Sequence, residues 1–411
     1  MIHAFRDSIH SASGTAMAFF HNRTVNLLNL HYIIGAVAIG GGGAFYSIYL
    51  LRAGISVPGV LATLAVVFAS RLAIRTFLLP LAIRIGLRRT VMVGAVAMGL
   101  SYVFLANVTG VDWSLFWLVL VSAAADCLYW PSYHAYFAAL GDSEHRGQQL
   151  GIREGIAAAV GIVSPLAAGW LLISFGPRAA FYATGAIQAL SAIPILWTPD
   201  VKVARHAPGA FRAALSGVML FVGDGWVAAG YFIVWQIALY LSLGQDVMAY
   251  GGALAVAALV GAVGGLFLGR LIDSGRGTRA VWLSVGILMV VIALRAAVQH
   301  YPVLAITANA LGALVACLYV PTMMTAVYNS AQRSPCVMRF HIAAEGGWDV
   351  GVSSGLAAAA LLVWLGHSIA YAILIALAGA AAVGLLLLRY YAAHDGETVD
   401  AALDQPEDAK I

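Results

Sequence analysis

Six ionisable residues interrupt the apolar stretches of this 411-residue chain: Arg71, Arg75, Asp126, Asp224, Glu345 and Asp349. A charge at the centre of a bilayer costs roughly 3 kcal/mol or more. Each such group therefore needs a partner or a water-filled cavity. Arg71 and Arg75 are four residues apart, as are Glu345 and Asp349, so each pair shares one face of a helix. Two guanidiniums on one face can bind an anionic substrate or hold carboxylates; Asp126 is one carboxylate that could satisfy them. A carboxylate in a low-dielectric cavity can take and release a proton near neutral pH. Asp126 and Asp224 are the candidates for that role, and the plainer alternative is a hydrogen bond that glues helices together. Arg295 is expected to snorkel to the membrane surface, and Glu154 to pair with its neighbour Arg153.

The elements that hold these groups follow from composition. Hydrophobic residues make up 62% of the chain and charged residues 10%, against about 25% charged in soluble proteins. The apolar residues come in blocks of about twenty, enough to cross a hydrocarbon layer of about 30 Å. The pattern predicts twelve spans, over about 27–51, 57–82, 90–108, 113–138, 150–173, 178–197, 214–241, 248–272, 280–299, 302–327, 340–365 and 368–391. With both termini inside, the inner segments hold Arg84, Arg88, Arg89, Arg146, Lys202, Arg205, Arg212, Arg276, Arg279, Arg333 and Arg339, while the outer loops hold only Arg52 and Arg178. That asymmetry is the positive-inside pattern. It places the chain as a multi-pass protein of the cell membrane (the inner membrane if the source is bacterial) with cytoplasmic termini. The segments are a cytoplasmic N-terminal stretch (1–26), a first bundle (27–197), a linker (198–213), a second bundle (214–391) and an acidic tail (392–411). The first 25 residues lack a long apolar run and do not read as a cleavable signal peptide. The three cysteines, Cys127, Cys317 and Cys336, show no paired spacing, so neither a disulfide framework nor a metal site is expected.

The word "CLYWP" at 127–131 returns as "CLYVP" at 317–321, an offset of 317 − 127 = 190 residues. At that offset Gly54 maps onto Gly244, Leu79 onto Gly269, Ile83 onto Asp273, Gly161 onto Gly351 and Ser164 onto Ser354. The chain therefore reads as an all-α membrane protein of two parallel six-helix bundles, an arrangement in which the halves rock about a central site. Pro131 and Pro321 are expected to kink the fourth helix of each half at matching depth. The stretch "GRLIDSGRG" (269–277) resembles the signature loop GxxxD(R/K)xGR of the major facilitator superfamily. Gly269 and Asp273 match; Ser274 stands where a basic residue is usual, and Arg276 is displaced. The first-half counterpart, "LPLAIRIGLRR", keeps Arg84, Gly86 and the Arg88/Arg89 pair but has Leu79 and Ile83 for the Gly and Asp. "GIVSPLAAG" (161–169) is similar to the fifth-helix motif GxxxGPxxGG of the antiporters, through Gly161, Pro165 and Gly169. The resemblance covers nearly the whole chain and implies the major facilitator fold; no subfamily fits closely.

The resemblance implies that spans two and eleven face each other across the halves. By a rise of 1.5 Å per residue, Arg75 and Glu345 lie roughly 8–10 Å deep, and Arg71 and Asp349 roughly 14–17 Å. A two-rung ladder follows, Arg75 to Glu345 and Arg71 to Asp349, closing the cytoplasmic side. At the repeat offset the arginines fall on Gly261 and Gly265, a face suited to close contact. The resemblance also implies that spans four and seven, carrying Asp126 and Asp224, line a central cavity. Tyr129, Tyr133, Trp226, Trp235, Tyr319 and Trp348 are candidates for its wall, with flat faces and polar tips. His134 is expected near the inner mouth, as a structural hydrogen bond or a proton relay. "GGGG" (40–43) lacks the Gly-Lys-Ser/Thr of a phosphate loop, so close packing or a hinge is expected. "GVSSG" (351–355) fits a hydrolase pattern that needs a strand and a sharp turn, and inside a span it is a coincidence.

The expected function is a secondary active carrier of a small organic solute, proton-coupled, with export by antiport favoured by the fifth-helix residues. Uptake of an anionic metabolite held by Arg71 and Arg75 is the rival, and a transport-dead sensor or assembly partner is a reading of another class. An enzyme is not expected, nor a cofactor, a metal or a nucleic-acid partner. The partners expected are solute, protons and lipid, with the chain a monomer.

Overall fold

The computed structural model describes residues 22–140, 146–272 and 277–403. Among these residues, twelve helices are long and apolar enough to cross a membrane. They are α1 (Arg23–Arg52), α2 (Val57–Ile85), α3 (Leu87–Leu105), α4 (Trp113–Leu140), α5 (Arg146–Ser174) and α6 (Gly176–Trp197). After a linker come α7 (Leu215–Ser242), α8 (Val247–Ile272), α9 (Gly277–Val298), α10 (Pro302–Gln332), α11 (Val337–Trp364) and α12 (Ile369–Ala393). An even number of crossings puts both ends of the helical chain at one end of the bundle, called here the terminal end; the other is the far end.

The repeat is visible as packing. In the first six helices α1 packs on α5 and α6, α2 on α4, and α3 on α4 and α6. In the last six, α7 packs on α11 and α12, α8 on α10, and α9 on α10 and α12. Each pairing recurs six helices later. The seam between the halves obeys the same relation: α2 meets α11, and α5 meets α8. Gly54 and Gly244, matched in the repeat, both turn the chain after a first helix with positive φ, +88° and +66°, where a side chain is disfavoured. Ser164 and Ser354 likewise both face the first helix of their half, at Gly40 and at Trp226.

Two helices are irregular. α1 breaks after Gly40 into a short 3-10 turn, Gly42–Phe45. There a Cβ on Gly42 would overlap Thr184 of α6, and one on Gly43 would lie 2.7 Å from Tyr102 Oη of α3. The glycine run is thus a crossing point of helices. α7 contains a π-helical segment, Ala228–Val234. Span ends differ from the sequence reading by a few residues; α10 runs on to Gln332 and α11 starts at Val337. Asp273, Ser274, Arg276, the side chains of Arg153 and Glu154, the surroundings of Gly269, and most of the terminal segments lie outside the described residues.

Candidate functional site: a charge cluster at the seam of the halves

α2 and α11 bring the two charged pairs together. Arg71 Nε lies 2.8 Å from Asp349 Oδ1, Arg71 Nη2 lies 3.3 Å from Glu345 Oε2, and Arg71 Nη1 lies 3.5 Å from Asp126 Oδ2. Arg75 donates to Asp349 Oδ2 from Nε at 3.0 Å and also from Nη2. Asp349 is completely buried, and Arg71 is 2% exposed. Desolvating so many charges is offset only by close mutual pairing. The Arg71 guanidinium is further held over the rings of Phe68 and Trp348, each 5.4 Å away.

One expected rung does not form. Arg75 binds Asp349 and not Glu345, and Glu345 is held by Arg71. Depth counting ignored the lean of side chains. Every Cα–Cβ bond in a helix tilts toward that helix's N-terminus. α2 starts at the far end and α11 at the terminal end, so Arg75 leans up the seam while Asp349 leans down to meet it. Gly346 leaves the room, its Cβ position 3.5 Å from Arg75 Cδ. Arg71 meanwhile reaches both halves at once, since Asp126 belongs to its own half.

Asp224 on α7 stands apart from the cations. Its carboxylate accepts from Tyr319 Oη at 2.7 Å and Trp348 Nε1 at 3.1 Å. Trp348 therefore touches Asp224 with its N–H and Arg71 with its ring, linking Asp224 to the charge cluster through one side chain.

Two adjoining cavities open beside the cluster. The larger, about 480 Å³, lies toward the far end and is lined by Tyr46, Ser101, Tyr102, Ser122, Asp126 and Gln236 among others. The smaller, about 330 Å³, is lined by Phe68, Arg71, Asp126, Trp130, Phe221, Glu345 and Trp348. Phe68, Asp126 and Trp130 border both. Asp126 is the least enclosed of the three clustered carboxylates, its side chain 25% exposed.

Of the aromatic residues predicted to line the cavity, Trp348 does. Tyr129 and Tyr133 are buried and stacked on one another, 5.6 Å between centroids, with Tyr129 Oη 2.9 Å from His31 Nε2. Trp235 is buried and donates to Asn309 Oδ1 at 3.0 Å, and Trp226 donates to Ser354 Oγ at 3.0 Å. Tyr319 contributes through Asp224. Tyr46, Phe68, Tyr102, Ser122 and Gln236 were not singled out by the sequence. Hydroxyls and amides are common in membrane helices and carry no periodic signal, although Tyr46 could have been found as the first residue with a polar group past the glycine run.

Arg295 does not snorkel. It is 4% exposed, inside the second half, donating to Tyr231 O at 2.7 Å with its guanidinium 4.0 Å from the Tyr231 ring centre and 4.9 Å from that of Trp235. The fifth-helix residues face α8: Gly161 lies against Ala258, Pro165 O against Gly251, and Gly169 against Val247 and Met248. At the first signature loop, Gly86 has φ +83° and its Cα abuts the carboxylate of Asp200 in the linker. Arg84 beside it is exposed. A linker residue thus brings a carboxylate to the loop whose own sequence has Ile83 in the acidic place.

Comparison with known proteins agrees with this architecture. A crystal structure described as an auto-inhibited POT family peptide transporter matches with a TM-score of 0.56 at 13% identity, over 90% of this chain and 97% of that one. A POT family transporter solved in complex with 5-aminolevulinic acid matches with a TM-score of 0.61 at 11% identity, over 90% of this chain and 96% of that one. At such identities the likeness is one of fold. No curated protein matches the chain. The sequence profile of the Major Facilitator Superfamily matches residues 28–334, and with twelve helices and a seam of α2 on α11 and α5 on α8, the chain belongs to that superfamily.

Proposed function

We propose that the chain is a proton-coupled secondary carrier that takes up a small solute with an anionic group by alternating access, its termini in the cytoplasm. The observation that carries this reading is the charge count at the seam. Two guanidiniums, Arg71 and Arg75, face three carboxylates, Asp126, Glu345 and Asp349. With every group ionised the cluster carries a net charge of 2 − 3 = −1, which is costly in a buried place. One proton neutralises it. A solute anion that pairs with Arg71 displaces Asp126 or Glu345, and the displaced carboxylate has then lost its cation and takes up a proton. Solute and proton so enter together. Asp126 is the first acceptor, because it borders both cavities and its pairing distance to Arg71 is the longest of the three. Asp224, held by Tyr319 and Trp348, is the second proton site of the reading.

In this reading the pairs between α2 and α11 hold the cytoplasmic side shut, and opening inward separates them. The export reading rested on Gly161, Pro165 and Gly169. Their contacts with α8 supply helix packing and set no direction, so uptake is preferred. The solved transporter bound to 5-aminolevulinic acid, which carries a carboxylate, points the same way.

Purified chain in proteoliposomes containing a pH-sensitive dye tests the reading. A panel of labelled monocarboxylates, with their neutral amides as controls, is offered under an inwardly directed proton gradient. At least one carboxylate is expected to accumulate and to acidify the lumen, its amide to do neither, and Arg71→Gln to abolish both. Accumulation that ignores the gradient, or that favours the amides, overturns it.

A further inference from the structure

We propose that His341 and His134 form the route by which the proton leaves the charge cluster toward the terminal end. The inference rests on the proton-coupled reading above and names the residues that discharge its proton.

His341 lies on α11 four residues before Glu345, so the two share a helix face one turn apart, with His341 on the terminal side. It is 1% exposed, and its Nε2 has no hydrogen-bond partner among the described residues. A buried polar nitrogen left without a partner is costly, and such exceptions mark functional positions. His31 gives the contrast. It is equally buried, but Nδ1 meets Ser191 O at 2.6 Å and Nε2 meets Tyr129 Oη at 2.9 Å, so both ring nitrogens are occupied and the group is structural.

The surroundings of His341 suit a relay. Its ring stacks on that of His134 on α4, 5.9 Å between centroids at 27°. The stack therefore crosses the seam between the halves. Tyr328 of α10 and Phe340 meet it edge-on at 5.9 and 5.8 Å. The titratable groups facing His341 are thus Glu345 on its own helix, His134 on α4 and Tyr328 on α10. Arg339, two residues nearer the terminal end, is committed elsewhere, donating to Arg205 O at 2.8 Å and lying 3.4 Å from Cys336 Sγ. Arg71 and Arg75 lie beyond Glu345 and are bound to carboxylates. Among the described residues no fixed cation stands directly against the ring to forbid its protonation.

The step balances as a proton transfer. The proton passes to Glu345 as Asp126 pairs again with Arg71, which touches both carboxylates; through one water admitted between them, the O–H of Glu345 then breaks as an N–H forms on His341 Nε2. The bonding electrons stay on the Glu345 oxygen, and the carboxylate pairs with Arg71, whose Nη2 lies 3.3 Å from Glu345. The imidazolium then lies 5.9 Å from the His134 ring across the seam, and water entering from the terminal end takes the proton from His341 and passes it by way of His134. A charge on this dry stack favours parting of the helices that admits that water, so discharge and opening help each other.

The experiment compares two fluxes in proteoliposomes, using whichever labelled monocarboxylate the wild-type chain accumulates best. Net uptake driven by a proton gradient needs proton release on each cycle; exchange of labelled for unlabelled carboxylate does not. His341→Gln is expected to lower net uptake about 100-fold, the scale of lost general acid–base catalysis, with exchange kept near wild type. His134→Gln is expected to do the same more weakly. Imidazole added to the lumen should restore net uptake to His341→Ala, which a packing role would not allow. If both fluxes fall together and imidazole rescues neither, or if net uptake survives in His341→Gln, the relay is wrong while the coupling reading stands. If wild-type uptake itself ignores the gradient, the coupling reading fails and the relay fails with it.

Discussion

Arg75 sits a full turn nearer the terminal end than Arg71, yet it binds Asp349, the deeper of the two α11 carboxylates, through Nε at 3.0 Å. The pair is almost completely enclosed. Its net contribution to stability need not be large, because desolvation offsets much of the attraction. What it does set is the register of α2 against α11, since Arg75 pairs with no carboxylate but Asp349 among the described residues.

That dependence gives the first prediction. Asp349→Asn leaves the Arg75 cation buried without a carboxylate, at a cost of about 3–5 kcal/mol, and Arg75→Gln leaves Asp349 to Arg71 alone. Because the cost falls only on the closed seam, each variant should part α2 from α11 at the terminal end. Spin labels on exposed positions of the two helices should report a longer distance. The exchange Arg75→Asp with Asp349→Arg should bring the short distance back. If the single variants leave the distance unchanged, the pair does not hold the seam.

Arg295 predicts a change confined to one half. In the π-helical segment the Trp235 N–H bonds Gly230 O, five residues back, rather than Tyr231 O. Tyr231 O instead receives Arg295 at 2.7 Å. Arg295→Met removes that donor and costs about 1–3 kcal/mol for the carbonyl left behind. The segment should then lose protection or return to α-helical pairing, and amide exchange over 228–234 should change while that of α1–α6 does not. Arg295→Lys should fall between, because a lysine lacks the planar group that lies over the Tyr231 ring.

Both cases mark the limit of what a sequence discloses here. Blocks of apolar residues fix twelve crossings, and the repeat fixes which helices pair, because both signals are spread over hundreds of residues. The cluster was legible as a set of members: four-residue spacing placed Arg71 with Arg75 and Glu345 with Asp349. Its wiring was not, since lean along the helix axis moves a guanidinium by several ångströms. Arg295 was misplaced for a similar reason. Depth in a span says how far a charge is from water, but not that the neighbouring π-helical turn offers it a carbonyl. The Asp200 contact with Gly86 joins segments far apart in sequence and has no periodic trace.

Outside the membrane, Asp112 gives a prediction in pH. It precedes α4 and accepts from Leu115 N at 2.9 Å, Thr109 N at 2.9 Å and Thr109 Oγ1 at 2.8 Å. Burial pushes its carboxyl up, but these bonds outweigh it and hold it below the usual carboxylate value. A group lowered in the folded state stabilises fully above its unfolded pKa of about 3.9 and loses that contribution as pH falls through the folded value. Asp112→Ala should therefore cost about 1 kcal/mol of a helix cap at neutral pH. Thermal unfolding in detergent should show the gap between wild type and variant closing below about pH 4. A gap that stays constant across that range would mean the ionised carboxylate is not what caps α4.

The linker offers the last test, at Gly86 and Asp200. Gly86 carries φ +83°, and a Cβ there would come within 2.7 Å of Asp200 Cγ. Leu87 N also bonds Val201 O at 3.0 Å, and Arg88 Nη1 donates to Thr198 O at 3.0 Å, so the loop after α2 is strapped to the chain that joins the halves. Gly86→Ala suffers twice, from its backbone angle and from the carboxylate. The angle alone, with ψ 163° in a region reserved for glycine, costs about 1–3 kcal/mol. Asp200→Ala removes the obstacle but not the angle. A double-mutant cycle on thermal stability should thus find Gly86→Ala less harmful when Asp200 is already alanine, with a coupling of about 0.5–3 kcal/mol. A coupling near zero would mean that the strap yields freely, and Asp200 would then have no part in setting the position of the loop.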